Sequence, residues 1–146
     1  MDADFSHDPK DLKRLYTVCK EDNIDLVIGS RYIQGVNVVN WPLSRVLLSY
    51  TASLYVRLIT GMKVLDPTAG FVCYRRVVLE AINLDQIKFI GYAFQIEMKY
   101  ITYKNKFKIK EIPIIFTDRL FGDSKLSKGI ISEAIFGVLQ MRLKNF

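Results

Sequence analysis

Met1-Asp2-Ala3-Asp4 carries two carboxylates one residue apart. Where the backbone turns, side chains spaced this way can converge on a hard divalent cation, Mg²⁺ or Mn²⁺, which keeps open positions for the oxygens of a diphosphate. Asp-x-Asp is also a common pattern of solvated loop carboxylates, so the pair gains meaning only from its company. Arg45 and Ser49 stand four apart; on a helix they present a guanidinium and a hydroxyl to one anion. The stretch 117–127 gathers Arg119, Gly122, Ser124 and Lys125, the composition of a flexible clamp over phosphates. Asp66, ahead of Pro67 and Gly70, reads either as a turn former or as a carboxylate held rigidly at a strand edge. His7, the single histidine, reads as a loop residue that could approach a metal held by Asp2 and Asp4.

The elements that must position these groups follow from periodicity. Asp8-Pro9 predicts a helix start, with Leu12, Leu15, Tyr16 and Cys19 as its apolar stripe to about Glu21. Asp25 to Ser30 is a short apolar run ending in glycine, hence a buried strand, and Arg31 stands just past its end. In open α/β sheets ligands bind outside the carboxyl ends of strands, so Arg31 is either a phosphate ligand or a plain loop arginine. The segment 32–41 lacks periodicity and predicts a mobile loop. Pro42 opens a helix to about Thr60 with Leu43, Val46, Leu47, Tyr50, Leu54 and Leu58 as one stripe, and Gly61 ends it.

A turn at Asp66–Gly70 leads into a strand from Phe71 to Tyr74 and a short helix through Ile82. Gly91 begins a helix with Phe94, Met98 and Ile101 as its stripe. Lys108 to Phe116 reads as one strand containing Pro113, hence an edge or bulged strand. The last helix, about Lys128 to Lys144, places Ile131, Ala134, Ile135, Val138 and Met141 on one broad face. It reads as a core helix or as one lying in a membrane interface.

Half of the 146 residues are hydrophobic, enough for one domain (1–146) with a real core. A formal charge of +6 implies a partner bearing negative charge, phosphates or an anionic membrane surface. No basic stretch interleaved with stacking aromatics points to nucleic acid. Cys19 and Cys73 show no metal-ligand spacing and are expected as reduced thiols in a cytoplasmic setting. No secretory leader is expected. Arg45, Arg57 and Glu133 interrupt the best apolar runs, so a membrane would be met from its surface.

Six blocks in series carry a resemblance: Met-Asp-Ala-Asp-Phe-Ser-His-Asp-Pro, Gly-Ser-Arg-Tyr, Asp-Pro-Thr-Ala-Gly-Phe, Gly-Tyr-Ala-Phe-Gln-Ile-Glu-Met, Ile-Pro-Ile-Ile-Phe-Thr-Asp-Arg and Gly-Asp-Ser-Lys-Leu. Over residues 1–126 the chain resembles the family-2 glycosyltransferases, and among them the dolichyl-phosphate (polyprenyl-phosphate) mannose synthases. That resemblance implies an α/β fold, the C-terminal portion of a nucleotide-diphospho-sugar transferase (GT-A, Rossmann-like) domain with a mixed sheet flanked by helices. It implies Asp2 and Asp4 as ligands of Mg²⁺ or Mn²⁺ and of the donor diphosphate, and Arg31, Arg45 and Ser49 as receivers of the acceptor lipid's phosphate. It implies Asp66 near the reacting sugar, and Arg119, Ser124 and Lys125 on a loop closing over the donor, with Asp66, Arg119 and Lys125 serving catalysis. Two positions depart from the pattern: Ser6 stands where some members carry a glutamine metal ligand, and Ala69 replaces a serine.

The partners implied are a nucleotide-sugar donor, GDP-mannose first, a polyprenyl-phosphate acceptor and the inner face of the membrane, where a peripheral cytoplasmic protein would work. The family's first βα units, which grip the nucleoside, are expected ahead of Met1. Without them the chain is expected to transfer no sugar alone and to self-associate, so a homo-oligomer is a further expectation. A UDP-sugar donor, or a non-catalytic domain that only folds and associates, are the readings kept beside this one.

Overall fold

The structure, a computed structural model, describes residue 4 and residues 6–21, 23–118 and 128–143, with side chains of the last helix from residue 134 onward. Its centre is the strand β1 (Leu26–Ser30), buried along its whole length. β3 (Val72–Tyr74) pairs with it antiparallel, in the register Val27 opposite Cys73. β4 (Ile109–Pro113) pairs with its other side in parallel, Leu26 opposite Ile109 and Ser30 opposite Pro113. The sheet is therefore mixed, in the order β3-β1-β4. Side chains alternate across it, as the pleat requires. Val27 packs with Leu15, Cys19, Phe71, Ile112 and Ile114 on one face, while Leu26 and Ile28 meet Val64 and Ala69 on the other. A strand covered on both faces needs a continuous apolar run, and β1 has one.

α1 (Lys10–Glu21) covers the Val27 face. It starts as expected: the Asp8 carboxylate accepts the Lys10 amide at 2.9 Å. Its stripe is narrower than periodicity predicts. Leu15 and Cys19 are buried, whereas Leu12 and Tyr16 face solvent, because the sheet covers only one side of the helix. Cys19 and Cys73 are free thiols; burial, with Cys73 alongside, pushes Cys19 up to about 11.

A second layer holds α2 (Leu43–Thr60), α4 (Gly91–Lys104) and α5 (Lys128–Leu143). Val56, Ile96, Tyr100, Val138 and Met141 form their shared core. α3 (Arg76–Ala81) closes one end through Val78 and Ile82 against Met98 and Ile101. Gly61 takes φ 73° and returns its amide to the Arg57 carbonyl, which ends α2 where expected. Gly137 lets α5 approach the Phe89 ring, which an added Cβ would meet at 2.9 Å.

Three sequence expectations are corrected here. The leucine stripe of α2 does not face the core: Leu43, Leu47, Tyr50, Leu54 and Leu58 are all exposed, Leu58 by 73%. Ser53, Val56 and Thr60 lie inside instead. The buried hydroxyls donate to carbonyls of their own helix, Ser53 to Ser49 at 3.0 Å and Thr60 to Val56 at 2.6 Å, so they need no outside partner. The segment 108–116 is not one strand. Pro113 ends β4, and β5 (Phe116–Thr117) leaves for a separate pairing with β2 (Val38–Val39). The segment 32–41, expected as a loose loop, is thereby fastened: Asn37 donates to the Arg31 carbonyl and accepts from the Phe116 amide.

Candidate functional site

The small β2–β5 sheet brings distant segments together. Its β5 strand also receives the N-terminal segment, through a bridge between His7 and Phe116 and a bond from the Thr117 amide to the Ser6 carbonyl. Asp4 lies just ahead of that junction, one carboxylate oxygen accepting the Ser6 amide at 3.1 Å. Past β5, Asp118 is fixed by its own amide, bonded to the Val39 carbonyl at 3.0 Å. Asp4, the loop after β1 and Asp118 are thus tied to the same small sheet.

Arg31 leaves the end of β1 and turns inward. Its Nε and Nη2 hold the Asp66 carboxylate at 2.7 and 2.6 Å, its backbone amide adds a third bond, and Nη2 reaches Thr68 at 2.9 Å. Both side chains are buried. Burial alone would raise Asp66, but the guanidinium outweighs it and holds the carboxyl below its usual range; the same pairing raises Arg31 against its burial. Asp66 is held from behind as well, because Glu111 on β4 accepts the amides of Leu65 and Asp66 at 2.7 and 2.9 Å. It is fully buried and bonded to the Arg31 guanidinium.

Arg45 lies along Trp41, 4.2 Å above the ring centroid, with Nη1 at 2.6 Å from Asp118. Ser49, one turn further along α2, accepts the Tyr32 hydroxyl at 2.6 Å. Arg31, Arg45 and Ser49 border one cavity of about 380 Å³. Its remaining walls are largely apolar and come mostly from α2, α4 and α5, among them Ala52, Val56, Ile96 and Ile135, with Trp41 and Thr68 beside them. A smaller cavity of about 70 Å³ adjoins it through Arg31, Trp41, Arg45, Thr68 and Tyr92, and continues to His7 and Gly70. An anionic head between the arginines with an apolar tail along the helices is what this paired space can take.

A family model described as glycosyl transferase family 2 matches residues 1–82. The chain belongs to glycosyl transferase family 2. An undecaprenyl-phosphate mannosyltransferase of Micrococcus luteus is 45% identical over 143 residues, 98% of this chain and 58% of that protein. A polyprenol monophosphomannose synthase of Mycolicibacterium smegmatis is 44% identical over 144 residues, 99% of this chain and 54% of that protein. The chain thus spans a little over half the length of these relatives. The mixed sheet flanked by helices is the α/β architecture that the resemblance implied.

Of the expected site residues in this family-2 chain, Arg31, Arg45 and Ser49 meet at one cavity and Asp66 sits behind Arg31. Asp2, Arg119, Ser124 and Lys125 lie outside the described residues. Among the described residues no three His, Cys, Asp or Glu side chains converge. Asp4 nonetheless has the chemistry of a metal ligand, an oxygen donor oriented by a backbone amide. Sequence reasoning missed Trp41, Asp118, Glu111 and Lys99. Asp118 belonged to a quoted block, whereas Trp41 lay between blocks. Glu111 and Lys99 adjoined blocks but carried no signal of their own, since a lone charge on a strand or helix reads as solvated.

Lys99, on α4, is fully buried. Its ammonium donates to the Ala69 carbonyl at 2.7 Å and to the Gln95 carbonyl and side-chain oxygen at 3.2 and 3.4 Å. Burial pushes it down to about 7; Asp66 pulls it up, Arg31 opposes, and Glu111 adds to the upward pull.

Proposed function

We propose that the protein carrying this chain transfers mannose from GDP-mannose to a polyprenyl phosphate at a membrane surface, with inversion at the sugar carbon. The observation that carries this reading is the cavity of about 380 Å³, arginine-headed and apolar-walled, which matches an isoprenoid phosphate in shape and polarity. The names of the relatives support it. So do the outward faces of α2 and α5, where Leu43, Leu47, Leu54, Leu58, Phe136 and Leu143 are exposed. No described helix is long and apolar enough to cross a membrane, so these faces suit lying on one.

In this reading the acceptor phosphate enters between Arg31 and Arg45, with Ser49 beside it. Arg31 keeps Nε and one Nη on Asp66, leaving Nη1 for the anion, and Arg45 exchanges Asp118 for phosphate. A phosphate monoester has a second pKa near 6, so its oxygen is already ionised and needs no protein base. The chain's task is to hold two anions together and steady the departing diphosphate. Asp2 and Asp4 would hold Mg²⁺ or Mn²⁺, which neutralises diphosphate charge, and Arg119, Ser124 and Lys125 would close on the donor. One in-line displacement gives inversion.

The test is transfer of radiolabelled mannose from GDP-mannose to undecaprenyl phosphate in detergent, with the anomer read by NMR. Metal-dependent formation of the inverted product is expected. Product from UDP-glucose but not from GDP-mannose would overturn the donor assignment, and product without any lipid phosphate would overturn the acceptor.

A further inference from the structure

An aliphatic residue could fill the place of Lys99, yet a lysine stands there with no exposed surface. Its three acceptors are neutral oxygens, those of Ala69 and Gln95, so no carboxylate bonds to the ammonium directly. The charged groups that act on it are Asp66 on the turn before β3, Arg31 after β1 and Glu111 on β4. Two positive and two negative groups balance only while Lys99 is protonated. The carbonyl it grips belongs to the turn whose Thr68, Ala69 and Gly70 line the small cavity beside the arginines.

We propose that Lys99 is a positioning residue for sugar transfer: it anchors the Asp66–Gly70 turn through the Ala69 carbonyl and keeps the buried cluster beneath the small cavity neutral, so that this cavity admits an anionic group of the donor. The proposal rests on the transferase reading above. Loss of the proton leaves one net negative charge under a site that must receive phosphate oxygens. At an effective dielectric of about 20 a unit charge even about 10 Å away changes anion affinity by on the order of tenfold.

Steady-state transfer by the protein and its Lys99→Met variant is compared from pH 6 to 9. In the unaltered protein the KM for the nucleotide sugar is expected to rise about tenfold across that range with little change in kcat. The variant should start from the raised KM at pH 6 and stay there. Parallel pH profiles in the two proteins would overturn the proposal. Should the variant fail to fold, the unaltered protein labelled at lysine ¹³Cε supplies the second reading. One lysine resonance should titrate near neutrality, and saturating inorganic pyrophosphate should move its midpoint upward, since proton and anion binding are reciprocal. A midpoint indifferent to pyrophosphate, or no lysine titrating there, refutes it. Absence of mannose transfer by the unaltered protein counts instead against the transferase reading, because the resonance is read without turnover.

Discussion

Arg45 borders the cavity and Asp66 lies behind its other arginine, Arg31, so their substitutions should fail differently. Arg45 is about one quarter exposed, and its Asp118 partner equally so, which makes that pair a weak contributor to stability. Arg45→Ala should therefore leave the fold intact and weaken use of the lipid acceptor ten- to hundredfold, the effect of losing about 1.5–3 kcal/mol of charge-assisted bonding. Kinetics with each substrate varied in turn check this; a loss confined to the sugar donor would place Arg45 on the wrong side. Asp66→Asn leaves a buried guanidinium short of its partner and should cost about 3–5 kcal/mol in urea unfolding at neutral pH. The sign with pH follows from the depressed Asp66 value. Its contribution is complete above the ordinary 3.8 and disappears as pH falls through the lower folded value. The gap between Asp66→Asn and the unaltered protein should thus hold from pH 7 to 5 and narrow only in strong acid. Lys99 gives the same sign in a higher pH window. Its folded value of about 7 lies below the ordinary 10.5, so the folded state releases a proton that the unfolded chain keeps. Stability relative to Lys99→Met should rise with pH from 7 to 10.5, measured by thermal melting.

α2 presents two faces with different work. Inside, Ser49, Ser53, Val56 and Thr60 are small or hydroxylic, which leaves room for the cavity and lets Ser53 and Thr60 bond to their own helix. Outside, Leu47 and Leu54 share the exposed stripe, and Ile135, Phe136 and Leu139 expose a comparable face on α5. A soluble surface seldom gathers so many large apolar side chains. Burial of each leucine in acyl chains is worth about 1.5–3 kcal/mol. Leu47→Glu with Leu54→Glu should consequently reduce flotation with anionic vesicles at least tenfold, while transfer to a short, detergent-dispersed acceptor persists. Unchanged flotation would remove these faces from the membrane assignment. The net charge of +6 should make the binding fall with added salt.

In the molecule as a whole, what one strand or helix decides alone was legible from its residues. The apolar run of β1, the Asp8 cap, the Gly61 stop and the turn at Asp66 each depend on neighbours within a few residues, and each stands where periodicity and turn chemistry put it. The family blocks spelled out Arg31 and Asp66, and helical spacing singled out Arg45 and Ser49. Partnership across the chain was another matter. Which side of α2 is inside depends on what α4 and α5 bring against it, and the leucine stripe pointed the wrong way because none of the described residues covers it. That Arg31 would close on Asp66, 35 residues later, or that Asp118 would return to Arg45, follows from strand pairings with no trace in spacing. Lys99 is the extreme case. Its sequence neighbours suit a buried helix and its charge suits solvent, and only the fold supplies the carbonyls and the carboxylates that allow it inside. Sequence alone determined the helices, the central strand and the chemical types of the site, since these are short-range properties, but not the small β2–β5 pairing. Tertiary structure decided which charges are paired, which are buried and which face remains uncovered, because desolvation and Coulomb energy depend on distances that only packing sets.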